Sequence, residues 1–108
     1  MAIALPPPIS AYYTAEQNSD FKALARCFTP KGVVRDEGRE IEGHAAIAAW
    51  IAEAKAKYDH RTEVLSAREA DGGWVVRVRV SGSFPNSPVT LEQSFHLSDG
   101  LIAALEIH

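Results

Sequence analysis

A chain of 108 residues is the size of one domain built on a single hydrophobic core. Its 46% hydrophobic and 23% charged residues exclude the composition of a disordered chain. A formal net charge of -3, with acids and bases intermixed, excludes the basic stripe that a nucleic-acid partner requires.

Cys27 is the single cysteine, so neither an intrachain disulfide nor a zinc site made of thiolates can form, and a reducing, cytoplasmic setting is expected. The apolar run Met1 to Leu5 is shorter than the roughly 7 to 15 residues of a signal-peptide core. No stretch approaches the roughly 18 to 20 apolar residues that span a bilayer. Residues 1–8 read as a flexible proline-rich lead, and 9–108 as one domain.

Three prolines, Pro6 to Pro8, place the start of the first helix near Ile9 or Ser10. Ile9, Tyr12, Tyr13 and Gln17 then recur at helical spacing. Asn18-Ser19-Asp20 interrupts, and Asp20 caps a second short helix with Phe21, Leu24, Ala25 and Phe28 on its apolar face, ended by Pro30. Val33 to Glu37 alternates as a short strand, with Val34 and Asp36 on one face. Gly38 and Gly43 bracket a loop or returning strand. The longest helix is expected over His44 to Tyr58, burying Ile47, Trp50, Ile51 and Ala54.

After Asp59 the period changes to two. Thr62 to Ala70 reads as a strand, Asp71-Gly72-Gly73 as a hairpin turn and Trp74 to Phe84 as a second strand. Trp74, Val76, Val78 and Val80 share one face of that strand. Phe84 to Pro88 is loop chemistry. Val89 to Leu97 alternates again, with Val89, Leu91, Gln93, Phe95 and Leu97 on one face, and Leu101 to Ile107 closes the sequence of strands. Helices first and antiparallel strands afterwards predict an α+β domain, its helices packed on one face of a curved sheet.

Several segments carry a resemblance. Glu42-Gly43-His44-Ala45-Ala46-Ile47 resembles the G-x-x-A-I opening of the long helix in SnoaL-like proteins. Phe84 to Val89, Asp99 to Ile102 and Leu105 to Ile107 look like that family's loop and closing strand, and Asn18-Ser19-Asp20 with Phe28 completes the pattern. The resemblance spans nearly everything from Ile9 onward. It implies the cone-shaped nuclear-transport-factor-2-like, cystatin-like superfold: a curved antiparallel sheet wrapped around N-terminal helices and an internal apolar pocket. It does not imply one chemistry, because isomerases, cyclases and plain binding proteins share that fold.

Asp36, facing inward with Val34, is the first candidate: a carboxylate there can take a proton from carbon beside a carbonyl, and partial burial raises its pKa toward a useful range. The competing reading is a rim aspartate paired with Arg35, Arg39 or Arg61, or a strand-end cap. Similarity to the steroid isomerases implies Tyr12 as the oxyanion donor to Asp36 as base. Gln93 stands on an apolar face, where a buried amide needs a ligand or a neighbour. The matching position in those isomerases holds a second acid, so an amide here departs from their pattern. Trp50, Phe28, Phe84 and Phe95, with Val34 and Val78 on the same inward faces, are candidate walls for a ring-shaped ligand.

The four histidines lack metal-ligand spacing, and His60 stands isolated, so neither metal nor cofactor is expected. An isomerase or cyclase acting on a small, apolar, ring-containing molecule is one reading; a ligand-binding module without turnover is a second, and a purely associating, dimerising module of the same fold is a third. A homodimer through the open sheet face, with Val75, Arg77, Arg79, Ser81 and His96, is expected from the fold class.

Overall fold

The chain begins its first helix earlier than the prolines suggest. In the computed structural model, which describes residues 4–108, α1 spans Pro7–Gln17, with Pro6 as its N-cap. Ile9 N–H and Ser10 N–H both donate to the Pro6 carbonyl at 3.0 Å. First-turn amides have no partner inside the helix, so Pro7 and Pro8 cost no hydrogen bond there, and their fixed φ suits the turn. Of the lead expected at 1–8, residues 1–3 lie outside the described residues.

Ser19 turns the chain at φ 55°, and Asp20 caps α2 (Phe21–Arg26) by accepting from Ala23 N–H at 3.2 Å. The strand that follows, β1 (Phe28–Asp36), starts five residues before the expected Val33 and runs through Pro30. Its ladder with β6 shifts register between Phe28 and Val33, so the missing proline amide falls where pairing is already interrupted. β2 (Arg39–Glu42) returns beside it, and α3 (His44–Tyr58) occupies the expected span.

Four strands complete the sheet: β3 (Arg61–Ala70), β4 (Gly73–Ser81), β5 (Val89–Ser98) and β6 (Leu101–Ile107). The six strands lie in the order β2-β1-β6-β5-β4-β3. All neighbours are antiparallel except β1 and β6, which run parallel. The sheet is therefore mixed where alternation alone suggested antiparallel pairing throughout. β4 crosses β5 closely at Gly73, where a Cβ would stand 2.1 Å from the Phe95 carbonyl oxygen.

The inward face of this curved sheet meets α1, α2 and α3. Ile9, Leu24, Ile47, Ile51, Ile102 and Leu105 are all buried there, joined by aromatic rings from α1 and β5. Burying side chains of this size contributes about 1.5 to 3 kcal/mol each, which fixes the helices on the sheet. Among the described residues no helix is long and apolar enough to cross a membrane.

Candidate functional site

The helices do not cover the whole inward face. Between α1, α3 and the far ends of β4, β5 and β6 they leave a cavity of about 400 Å³. Its apolar wall includes Trp50, Ile51, Val80, Leu91 and Ile107, with Phe84 and Pro85 contributed by the loop after β4. Its polar lining includes Tyr12, Glu16, Asp36, Gln93, His60 and Thr62, together with Glu37 and Tyr58.

Asp36 ends β1 and faces the cavity because it alternates with buried Val34. Trp50 Nε1–H on α3 donates to its Oδ2 at 3.3 Å. Arg35 turns to the other face, where it meets Glu40 at 3.3 Å and Glu106 at 3.8 Å. Asp36 itself forms no ion pair among the described residues. Burial pushes its carboxyl above the ordinary 3.8, with Glu37 adding to the rise while the Trp50 hydrogen bond and Arg39 oppose it.

Tyr12 is 1% exposed and lines the same cavity. Burial, and then the negative charges of Glu16 and Asp36 among its neighbours, hold its phenol well above the usual value. Such a hydroxyl keeps its proton at any physiological pH and acts as a hydrogen-bond donor. Tyr13, adjacent in sequence, points elsewhere: its hydroxyl donates to Gln93 Oε1 at 2.5 Å, and burial raises its pKa too. Gln93 is 4% exposed, and with its oxygen held by Tyr13 its amide N–H groups are the donors left for the cavity.

The structure thus brings Asp36, Tyr12, Gln93, Trp50 and Phe84 to one cavity. Phe28, Val34, Val78 and Phe95, expected on its walls, are instead core residues, each at most 1% exposed and absent from the cavity lining. For Phe28 and Phe95 the reason is coverage by α1. The Tyr12 ring stands edge-on to Phe28 at 6.1 Å and to Phe95 at 5.5 Å, and Tyr13 reaches Phe95 at 5.9 Å. An inward-facing side chain under those rings packs against protein.

Glu16 and His60 are among the site residues that escaped the sequence reading. Glu16 lies four residues after Tyr12 on the same helix face, and is 4% exposed. The stripe Ile9, Tyr12, Glu16 was the signal that could have found it. His60 is 9% exposed, and its Nε2 stands 3.8 Å from Glu16 Oε2. Its inward turn depends on Asp59, which caps α3 in the left-handed region at φ 46°, a geometry no local pattern announces. His44, by contrast, meets the Phe28 carbonyl at 2.8 Å outside the cavity lining, and Cys27 is a buried thiol pushed upward by burial.

A cone of this kind, with its cavity between helices and sheet, defines the nuclear-transport-factor-2-like class of α+β domains. The sequence profile of the SnoaL-like domain matches residues 9–105, and the chain belongs to that family. A Sinorhizobium meliloti protein named a "putative polyketide cyclase" is 41% identical and superposes with a TM-score of 0.92, over 96% of this chain and 95% of that one. A Catenulispora acidiphila protein of ketosteroid isomerase-like fold, solved with trimethylamine, is 17% identical with a TM-score of 0.84, over 97% and 86% of the two chains. A nuclear-transport-factor-2-like protein of Cytophaga hutchinsonii is 13% identical with a TM-score of 0.79, over 100% and 91%. The last two show the fold alone. No curated protein sequence matches the chain.

Proposed function

We propose that this domain binds a small, apolar, ring-sized carbonyl compound and moves a proton on it without a cofactor, as an isomerase or cyclase, with Asp36 as general base. The observation that carries the reading is Asp36 itself. It is a half-buried carboxylate without an ion pair among the described residues, oriented by Trp50 at 3.3 Å, on the wall of a mostly apolar cavity. Its raised pKa makes it a better base than an ordinary aspartate.

Removing a proton beside a carbonyl leaves negative charge on oxygen. The Tyr12 hydroxyl and the Gln93 amide supply neutral donors on the same cavity wall, which favours that charge without a competing cation. An aldol cyclisation begins with this same proton removal, so the name of the 41% identical S. meliloti protein agrees with the reading.

The test is deuterium uptake at the carbon between the ring and the carbonyl of 2-tetralone in D2O. The protein should accelerate exchange over buffer, and Asp36→Asn should lose the acceleration. A rise in melting temperature with 2-tetralone but no exchange would replace the catalytic reading with that of a binding module.

A further inference from the structure

Glu16 and His60 are not used by the chemistry above, yet they are the most deeply buried potentially charged pair among the described residues. They come from separate elements, α1 and the turn between α3 and β3. Their nearest atoms stand 3.8 Å apart, beyond hydrogen-bonding distance. Neither side chain has another hydrogen-bond partner among the described residues, although the His60 carbonyl is held by Lys55 Nζ.

A buried carboxylate or imidazole without a partner is costly. No side-chain nitrogen or oxygen sealed off from open space lacks a hydrogen bond among the described residues. The polar atoms of this pair therefore open onto space, and both residues line the cavity that holds Asp36. Thr62 lines it beside them, and all three also border the cleft on the other side of α1.

We propose that Glu16 and His60 form a hydroxyl-binding site at the end of this cavity, so that the ligand is a hydroxylated carbonyl compound. The chemistry follows from the gap. A hydroxyl oxygen set about 2.8 Å from both atoms accepts from His60 Nε2–H and donates to Glu16 Oε2, satisfying two buried groups with one atom. A ketone oxygen only accepts and would leave Glu16 unmatched. A carboxylate would meet Glu16 with like charge. An alcohol, enol or phenol meets both requirements.

This inference rests on the carbonyl-compound reading of the cavity, but its test separates the two. Isothermal titration compares 6-hydroxy-2-tetralone with 2-tetralone. The protein should bind the hydroxylated compound at least tenfold more tightly. Glu16→Gln should shrink that preference, and the double variant Glu16→Met, His60→Leu should abolish it. Equal affinity for both tetralones, or an undiminished preference in the double variant, overturns the site.

Should the double variant not fold, nitrogen NMR of the unaltered protein decides. His60 Nε2 should shift with 6-hydroxy-2-tetralone and stay in place with 2-tetralone; no difference overturns the proposal. Failure of the unaltered protein to accelerate deuterium uptake, or acceleration retained in Asp36→Asn, by contrast, overturns Asp36 as base and leaves the hydroxyl preference standing. Binding of neither compound overturns both readings.

Discussion

The inward face of the sheet meets two different environments. Under the rings of Tyr12 and Tyr13, Phe28 and Phe95 are fully packed, at 0% and 1% exposure. Elsewhere on the same face, Val80, Leu91, Gln93 and Ile107 border a cavity of about 400 Å³. Both halves are written in the same alternation, and what separates them is how far the helices reach. The packed half should carry stability and the open half function, and each can be altered with little effect on the other.

The largest expected effect is in the open half. Asp36→Asn should reduce deuterium uptake by roughly 100- to 10,000-fold, the usual contribution of a general base, while Asn accepts the Trp50 N–H as before and the melting temperature does not fall. If the variant unfolds, the division between halves breaks. In the packed half, Phe95→Ala should cost about 3 to 5 kcal/mol in urea unfolding. Phe84→Ala, on the cavity wall, should cost about 1 kcal/mol and weaken 2-tetralone binding instead.

Gly82 lies just after β4, against the end of α3. A Cβ there would lie 2.5 Å from the Tyr58 carbonyl oxygen and 2.9 Å from His60 Cα. The close approach is held by Ser83 N–H on Tyr58 O at 2.7 Å and by Gly82 N–H on Ser87 Oγ at 3.0 Å. Gly82→Ala should therefore cost about 1 to 3 kcal/mol and displace His60, seen as a loss of preference for the hydroxylated tetralone.

A smaller effect comes from pH. Burial raises the Asp36 carboxyl above its ordinary 3.8, so the folded state holds that proton more tightly than the unfolded chain. Its contribution to stability is complete below the ordinary value and is lost as pH rises through the folded one. Melting temperatures across that window should show the protein losing stability relative to Asp36→Asn. Least of all, Asp59→Gly relieves a left-handed non-glycine residue at φ 46° and should alter stability by only a few tenths of a kcal/mol.

Much of this architecture was legible because its cues are local. Gly43 before an apolar helical stripe marks α3, and Asp71-Gly72 between alternating strands marks the β3–β4 hairpin. Asp36 was readable for the same reason, since strand alternation ties its direction to Val34. What was illegible depends on contacts between distant segments. Val34 and Val78 face inward as expected, but whether an inward residue meets a helix or open space is decided by how far the helices reach across the sheet. The Glu16 and His60 pairing joins residues 44 positions apart in sequence, through a turn whose direction rests on one left-handed aspartate.

The parallel contact between β1 and β6 has a kinetic consequence. β6 is the last strand in chain order, yet it stands between β1 and β5 and joins the two parts of the sheet. Until it is synthesised, β2 and β1 form one ribbon and β3, β4 and β5 another, with no strand between them. The sheet therefore cannot form progressively as the chain leaves the ribosome. Pairing Phe28 with Ile102 and Val34 with Leu105 makes the decisive step a long loop closure, and such topologies fold slowly. Until that step the inner strands expose unpaired edges, and the nascent domain is open to aggregation and to chaperone capture.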